Sequence, residues 1–235
     1  MTEGFLSRVA LRHEASVQAI IRLLVPGSAG QQHGAAHHLL WALFGDTPER
    51  RRDFLWRQTA PGQFMVLSAR APVDRHAIFD IESRPFAPVL KAGDRLRFML
   101  CANATVDRKP PEKDRKAPGR TRSQRHDVVM DALHALPSAE RATARARVVP
   151  EVMAAWLARQ GARTGFVPLD APEIERCDVL SIPRAQGRAR ARFGVVDMTG
   201  VLAVEDPALF VPALLHGFGR ARAFGCGLML VRRAG

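Results

Sequence analysis

An α+β chain of two tandem ferredoxin-like βαββαβ units is what this sequence predicts, and three observations point there. The chain has 235 residues, and domains of about 100 to 150 residues make two compact units the natural division. Hydrophobic residues make up 47% of it, enough to fill real cores and too many for a disordered chain. Across roughly the first hundred residues the apolar periodicity runs strand, helix, strand, strand, a short ambiguous segment, strand, the order of the split βαβ sandwich.

Each element has its own local reason. Phe5–Leu11 reads as a short strand, and Ser16–Val25 as a brief helix with Val17, Ile20, Ile21 and Leu24 on one face. Pro26 and Gly27 then break the chain, and a second helix spans Ala35–Phe44 on the stripe Leu39, Leu40, Leu43, Phe44. Gly45 stands where a helix C-cap is expected. Phe54–Trp56 and Gln63–Ala69 flank Ala60-Pro61-Gly62, a hairpin-like break. Asp94–Ala102 alternates charged and apolar residues, with Leu96, Phe98 and Leu100 on one face, as a half-buried strand does. In the second half, helices are expected over Val128–Leu136 and Glu151–Gln160, with an arginine-bearing connection over Ser138–Val149. Strands follow at Val179–Ile182 and Phe193–Val204, the latter kinked by Gly200. A helix over Pro207–His216 opens after Glu205 and Asp206, and Leu228–Val231 closes the unit. Residues 107–126 hold eight Lys or Arg, three acids and three Pro with almost nothing apolar. They divide the chain into units 1–106 and 127–235, joined by a basic linker.

Charge narrows the function. There are 35 Lys and Arg against 23 Asp and Glu, a net of +12. Lys91, Lys109, Lys113 and Lys116 are the only lysines, so the basic side is nearly all Arg. Arg suits planar contact with phosphates and guanine edges, which favours nucleic acid over an anionic membrane surface as partner. A GC-rich coding bias would raise Arg as well. No apolar run of eighteen residues exists, and the charged opening MTEGFLSRVALRHE is unlike a signal peptide, so a cytoplasmic protein is expected. Cys101, Cys177 and Cys226 are odd in number and form no CxxC pair, which speaks against a disulfide framework or structural zinc.

Three stretches carry chemistry. Gly217–Gly227 (GFGRARAFGCG) has four glycines, Arg220 and Arg222, and no acid. Gly217, Gly219, Gly225 and Gly227 let backbone amides approach a phosphate, though no GK[ST] follows and the stretch is not a Walker loop. Arg184, Arg188, Arg190 and Arg192 crowd a segment between two strands, either a basic hairpin that enters a groove of folded RNA or a solvated turn. His33, His37 and His38 gather at a glycine-broken helix start, where a side chain of reference pKa about 6.5 can move a proton at neutral pH or simply pack. No HExxH or comparable carboxylate set accompanies them, so no metal is expected.

Taken together, these residues resemble the CasE family, the type I-E CRISPR endoribonuclease that processes precursor CRISPR RNA. The resemblance is carried by AHHLLWALF at 36–44, RDFLWR at 52–57, RLRFMLCAN at 95–103, GVLAVEDPALF at 200–210 and GFGRARAFGCGLMLV at 217–231. It implies tandem ferredoxin-like (RRM-like) domains and metal-independent cleavage at the base of a CRISPR repeat hairpin, without a cofactor. In that reaction the upstream 2′-hydroxyl attacks the neighbouring phosphorus and a first-helix histidine serves as acid or base. The family's histidine falls on His37, with His33 and His38 as substitutes. The resemblance also implies stem contact by Arg184–Arg192, retention of the processed RNA, and assembly with other Cascade subunits. One departure stands out: family members can place a tyrosine one turn before the histidine, but this chain has no Tyr, and Gly34 occupies that position. A non-cleaving RNA-hairpin-binding subunit of the same fold is the alternative, and a general basic RNA-binding protein a third reading.

Overall fold

A computed structural model of the chain describes residues 3–14, 29–45, 51–108, 124–182 and 191–234, with the side chains of 29–34 and 124 outside that description. The helix expected over Ser16–Val25 therefore lies outside the described residues. Strands β1 (Gly4–Leu11), β2 (Phe54–Ala60), β3 (Gln63–Ser68) and β4 (Phe79–Phe86) form one antiparallel sheet in the order β2-β3-β1-β4. Helix α1 (Ala29–Trp41) covers one face. Its Ala36 and Leu40, with Leu43 and Phe44 of the turn that follows, pack on Val9, Phe54, Trp56, Phe64, Val66 and Phe79. The opposite face sends Leu55 and Leu67 against Leu228 of the C-terminal unit. Both faces of β2 are thus covered, and for that reason Phe54, Leu55 and Trp56 are buried in succession.

Strand pairing moves the boundary between the units. The strand expected to close the first one, β5 (Arg95–Ala102), pairs with β10 (Ala191–Val204) and β11 (Met229–Arg233) in a second sheet. The place it was expected to fill belongs to β4, in the stretch that reads as ambiguous. Phe79 and Ile81 turn toward the core there, while Asp80, Glu82, Arg84 and Pro85 stay exposed. An edge strand tolerates that composition, because charges and a proline on a free edge discourage further pairing. The second sheet runs β11-β5-β10-β8, where β8 is Phe166–Pro168, and β9 (Glu173–Ile182) also pairs with β10. A register shift between Asp197 and Met198 falls within the β9 pairing, while β8 takes up Leu202–Val204. In each unit the last strand flanks the first, the first flanks the third and the third flanks the second, which is the ferredoxin-like order.

The basic stretch is accordingly an insertion within the second unit and not a linker between two. Its flanks pair as a ribbon of β6 (Thr105–Arg108) and β7 (Gln124–Asp127), and residues 109–123 lie outside the described residues. Asp127 then caps α2 (Val128–His134), its carboxylate accepting from the amides of Val129 and Met130. Instead of a connection and a short helix, one helix α3 (Arg141–Thr164) follows, with Pro150 inside it. Val148, Val149, Met153, Trp156 and Leu157 are all buried, and that face outweighs the amide hydrogen bond the proline cannot make. Helix α4 (Pro207–His216) spans the expected residues and is capped by Asp206, which accepts from Ala208 and Leu209 amides. Among the described residues no helix is long and apolar enough to cross a membrane.

A buried ionic cluster joins the units. Arg57 Nη2 of β2 lies 3.2 Å from Asp197 Oδ1, and Arg176 Nη2 of β9 lies 2.7 Å from Oδ2. Asp197 is 7% exposed, so removing it strands the buried Arg57 guanidinium, while Arg176 stays half-exposed with Asp178 at 3.6 Å. Asp197→Ala is expected to lower unfolding free energy in urea by about 3 to 5 kcal/mol. A loss below about 1 kcal/mol would show that the cluster is not holding the units together.

Candidate active site

The best-defined site is built where α1 meets the glycine-rich loop of the other unit. The stripe Ala36–Leu40 faces the core, which leaves His37 and Trp41, one turn apart, on the adjoining face. Trp41 Nε1–H donates to His37 Nε2 at 3.0 Å, and the Trp41 ring stands edge-on to Phe54 with centroids 5.4 Å apart. Phe54 in turn stacks on Phe44 at 4.5 Å. This series fixes the imidazole and, with Nε2 accepting, places the proton of the neutral ring on Nδ1. On its other side His37 meets Phe224 at 6.3 Å, in the 3₁₀ turn Arg222–Phe224.

Close packing explains the glycines of that loop. At Gly217 a Cβ would come within 2.8 Å of the Leu55 side chain, and at Gly225 within 3.1 Å of the Trp56 ring. Both residues have positive φ, 82° and 81°. Gly219 and Gly227 press equally closely on the Asn103 and Phe218 carbonyls. Several amides expected to cradle a phosphate serve the fold instead. Phe218 N donates to Gly227 O, Arg220 N to Asn103 O, Phe224 N to Ala221 O and Gly227 N to Cys101 O. Trp56 Nε1 adds a bond to Ala223 O at 3.3 Å, so the N-terminal unit grips the loop directly. The side chains of Arg220, exposed, and Arg222, half-buried, remain to meet an anion.

A residue missed in the sequence completes the site. Arg52, just before β2, is partly buried, and its Nη1 is buried without a hydrogen-bond partner. Burial and then Arg222 push its pKa down; burial and then Arg220 do the same to Arg222. His216 is lowered by Arg222 first and burial second. For His37, burial, then His38, then Arg52 bring the pKa from 6.5 to about 4. Asp53, the adjacent acid, is paired through Oδ2 with Arg70 at 2.7 Å, and its buried Oδ1 makes no hydrogen bond. The site thus pairs a neutral imidazole with crowded, uncompensated guanidinium groups, an arrangement that an anion would relieve. Nothing in the dipeptide Arg52-Asp53 announced this role.

The remaining sequence-derived residues are placed as follows. His38 is exposed, its ring 5.6 Å from that of His37. His33 lies in α1 one turn before His37, its side chain outside the description. Arg192 is exposed on β10, whereas Arg184, Arg188 and Arg190 lie outside the described residues. The strands that flank them pair up to Ile182 and Ala191, so the segment does connect two antiparallel strands.

Comparison with known proteins agrees with this architecture. The profile of a family described as CRISPR associated protein matches residues 5–233. The Cascade subunit CasE of Escherichia coli (strain K12) is 26% identical over 198 residues, spanning 82% of this chain and 88% of that protein. The structure of Thermus thermophilus Cse3 bound to an RNA representing a pre-cleavage complex superposes with a TM-score of 0.65 at 21% identity, covering 99% of this chain and 100% of that one. Cas6e from Escherichia coli K-12 gives 0.60 at 22% identity, over 98% and 100%. At these identities the structures speak for the fold.

The site makes a titration testable. Because His37 is held neutral, the folded state binds fewer protons than the unfolded chain between pH 6.5 and about 4. Stability should therefore fall as pH drops through that interval. The His37 ring resonance should titrate near pH 4 in the wild type. In Arg52→Gln the midpoint should move up, but only part of the way, since burial remains. A wild-type midpoint at 6.5 would contradict the assigned environment.

Proposed function

The chain belongs to the CRISPR-associated protein family, as a CasE-type member, and from that premise we propose that it is a metal-independent endoribonuclease. Its substrate is precursor CRISPR RNA, cut at the base of the repeat hairpin. The observation that carries this reading is the neutral His37 ring, oriented by Trp41 and set beside Arg52 and Arg222.

The chemistry follows from these groups. The 2′-hydroxyl of the upstream nucleotide attacks the adjacent phosphorus, forming an O2′–P bond as the P–O5′ bond breaks. His37 is neutral at pH 7 with its proton on Nδ1, so it takes the 2′-hydroxyl proton on Nε2, the substrate hydroxyl displacing the Trp41 N–H there; the 5′-oxygen takes a proton from solvent as it leaves. The products are a 2′,3′-cyclic phosphate and a 5′-hydroxyl. Arg52 and Arg222 supply fixed positive charge to the pentacoordinate phosphorane, where preorganised charge contributes most. An approaching phosphate also offsets the repulsion that depresses His37, so the imidazole accepts the proton more readily in the complex than in the free protein. His38, exposed beside it, takes the supporting role left by the absent tyrosine, and His33 is the other substitute.

Arg192 and the segment 184–190 then grip the stem of the hairpin. The processed RNA stays bound and enters a Cascade assembly in the cytoplasm; the Escherichia coli relative is named as a Cascade subunit. No cofactor takes part. The alternative, a non-cleaving hairpin-binding subunit, is favoured by one observation: the chain contains no Tyr, and Gly34 stands in its place.

Single-turnover cleavage of a repeat hairpin in EDTA separates the two. Wild-type protein should cleave, a 2′-deoxy nucleotide before the cut should block it, and His37→Ala should slow it by about 10² to 10⁴-fold with binding retained. Arg52→Ala should slow it by about 10²-fold. Tight binding without cleavage by the wild type would leave the binding-subunit reading in its place.

A further inference from the structure

A cleft of about 680 Å³ opens behind the glycine-rich loop, between the C-terminal half of α3 and the end of α4. Arg222 forms part of its wall, and the same side chain is the charged neighbour of Arg52 at the active site. Arg220, His216 and Arg163 also line it. Among the described residues the one acid in the lining, Asp107, is engaged by Arg125 at 3.2 Å. Arg222 is what chiefly lowers the pKa of His216, so positive charge is already crowded at this mouth. On its α3 side, the partly buried Gln160 accepts from Nη2 of the exposed Arg163 through Oε1 at 2.8 Å, which leaves its amide NH₂ able to donate to a ligand. Trp156 and Phe218 close the floor and are themselves buried.

We propose that this cleft binds the unpaired nucleotide of the RNA adjoining the scissile phosphate, its phosphate against Arg220, Arg222 and His216 and its base against Gln160 and Arg163. The assignment rests on the endoribonuclease reading and adds a site to it. The volume exceeds what a single ion needs, and cations combined with an amide donor suit a nucleotide better than an apolar partner. Single-stranded RNA offers such a site both a phosphate and unstacked base edges, and Arg planes and amides are common means of reading them. Arg222 belongs to both sites, so a strand crossing His37 reaches the cleft without leaving positive charge.

The test uses full-length protein and hairpins made uncleavable by a 2′-deoxy nucleotide before the cut. One hairpin ends at the scissile position, one carries a single further nucleotide, and one carries that nucleotide without its base. Wild type should bind the extended hairpin about tenfold more tightly than the blunt one, with the abasic extension in between. Gln160→Ala and Arg163→Ala should abolish the base-dependent part of that gain while leaving affinity for the blunt hairpin unchanged. Equal affinity of wild type for all three would overturn the cleft assignment and leave the endoribonuclease reading intact. Protection of the cleft by a polyglutamate peptide, with no gain from the extension, would overturn it in favour of an acidic protein partner. Failure to bind even the blunt hairpin would instead remove the endoribonuclease reading on which it stands.

Discussion

The backbone of Gly217–Gly227 lies so close to β2 and β5 that side chains cannot be accommodated where it crosses them. Leu55 and Trp56 occupy the space that a Cβ would take at Gly217 and Gly225. The loop is therefore held by two sheets at once, through Asn103 and Cys101 of the C-terminal unit and Trp56 of the N-terminal one. What the site contains depends on this approach. It sets Phe224 against the imidazole of His37 and brings Arg222 near Arg52, although those residues come from opposite ends of the chain.

Charge is distributed unevenly across the same junction. Away from the site, the buried Arg57 and the half-exposed Arg176 share Asp197, so each has a carboxylate, although Arg57 Nη1 itself makes no hydrogen bond. At the site no such partner is provided. Arg52 keeps a buried Nη1 unpartnered, and each guanidinium makes its neighbour harder to hold protonated. A fold optimised only for stability would place an acid there or remove a cation. Leaving the cluster uncompensated costs stability in the free protein and prepares a place for an anion.

The sequence revealed elements whose local pattern and tertiary role coincide. Leu96, Phe98 and Leu100 alternate because one face of β5 is buried, and Asp206 before an apolar run marks the start of α4. The pattern failed where tertiary context overrode it. β4 carries charges and Pro85 because it is an edge, and α3 runs through Pro150 because its buried face spans both sides of the proline. The division between units was misplaced for a related reason: 107–126 has a linker's composition, but an insertion between a strand and its helix can have the same one. Spacing alone left His33, His37 and His38 open, and the choice of His37 came from the resemblance to the CasE family. Arg52 was not legible, since its importance arises from neighbours 170 residues away in the chain, as from 52 to 222. The glycines read as an anion cradle, but the structure gives them a packing reason, and several of their loop's amides are bonded within the fold.

The account stands on where the scissile phosphate sits relative to His37, Arg52 and Arg222. A crystal structure of the protein with a repeat hairpin carrying a 2′-deoxy nucleotide before the cut would locate it. With the ring proton on Nδ1, the account predicts the attacking position within hydrogen-bond reach of His37 Nε2, about 2.6 to 3.2 Å, in place of the Trp41 N–H. It also predicts phosphate oxygens lying between the two guanidinium groups. A scissile phosphate seated beyond reach of all three side chains, with the hairpin bound elsewhere on the molecule, would contradict it.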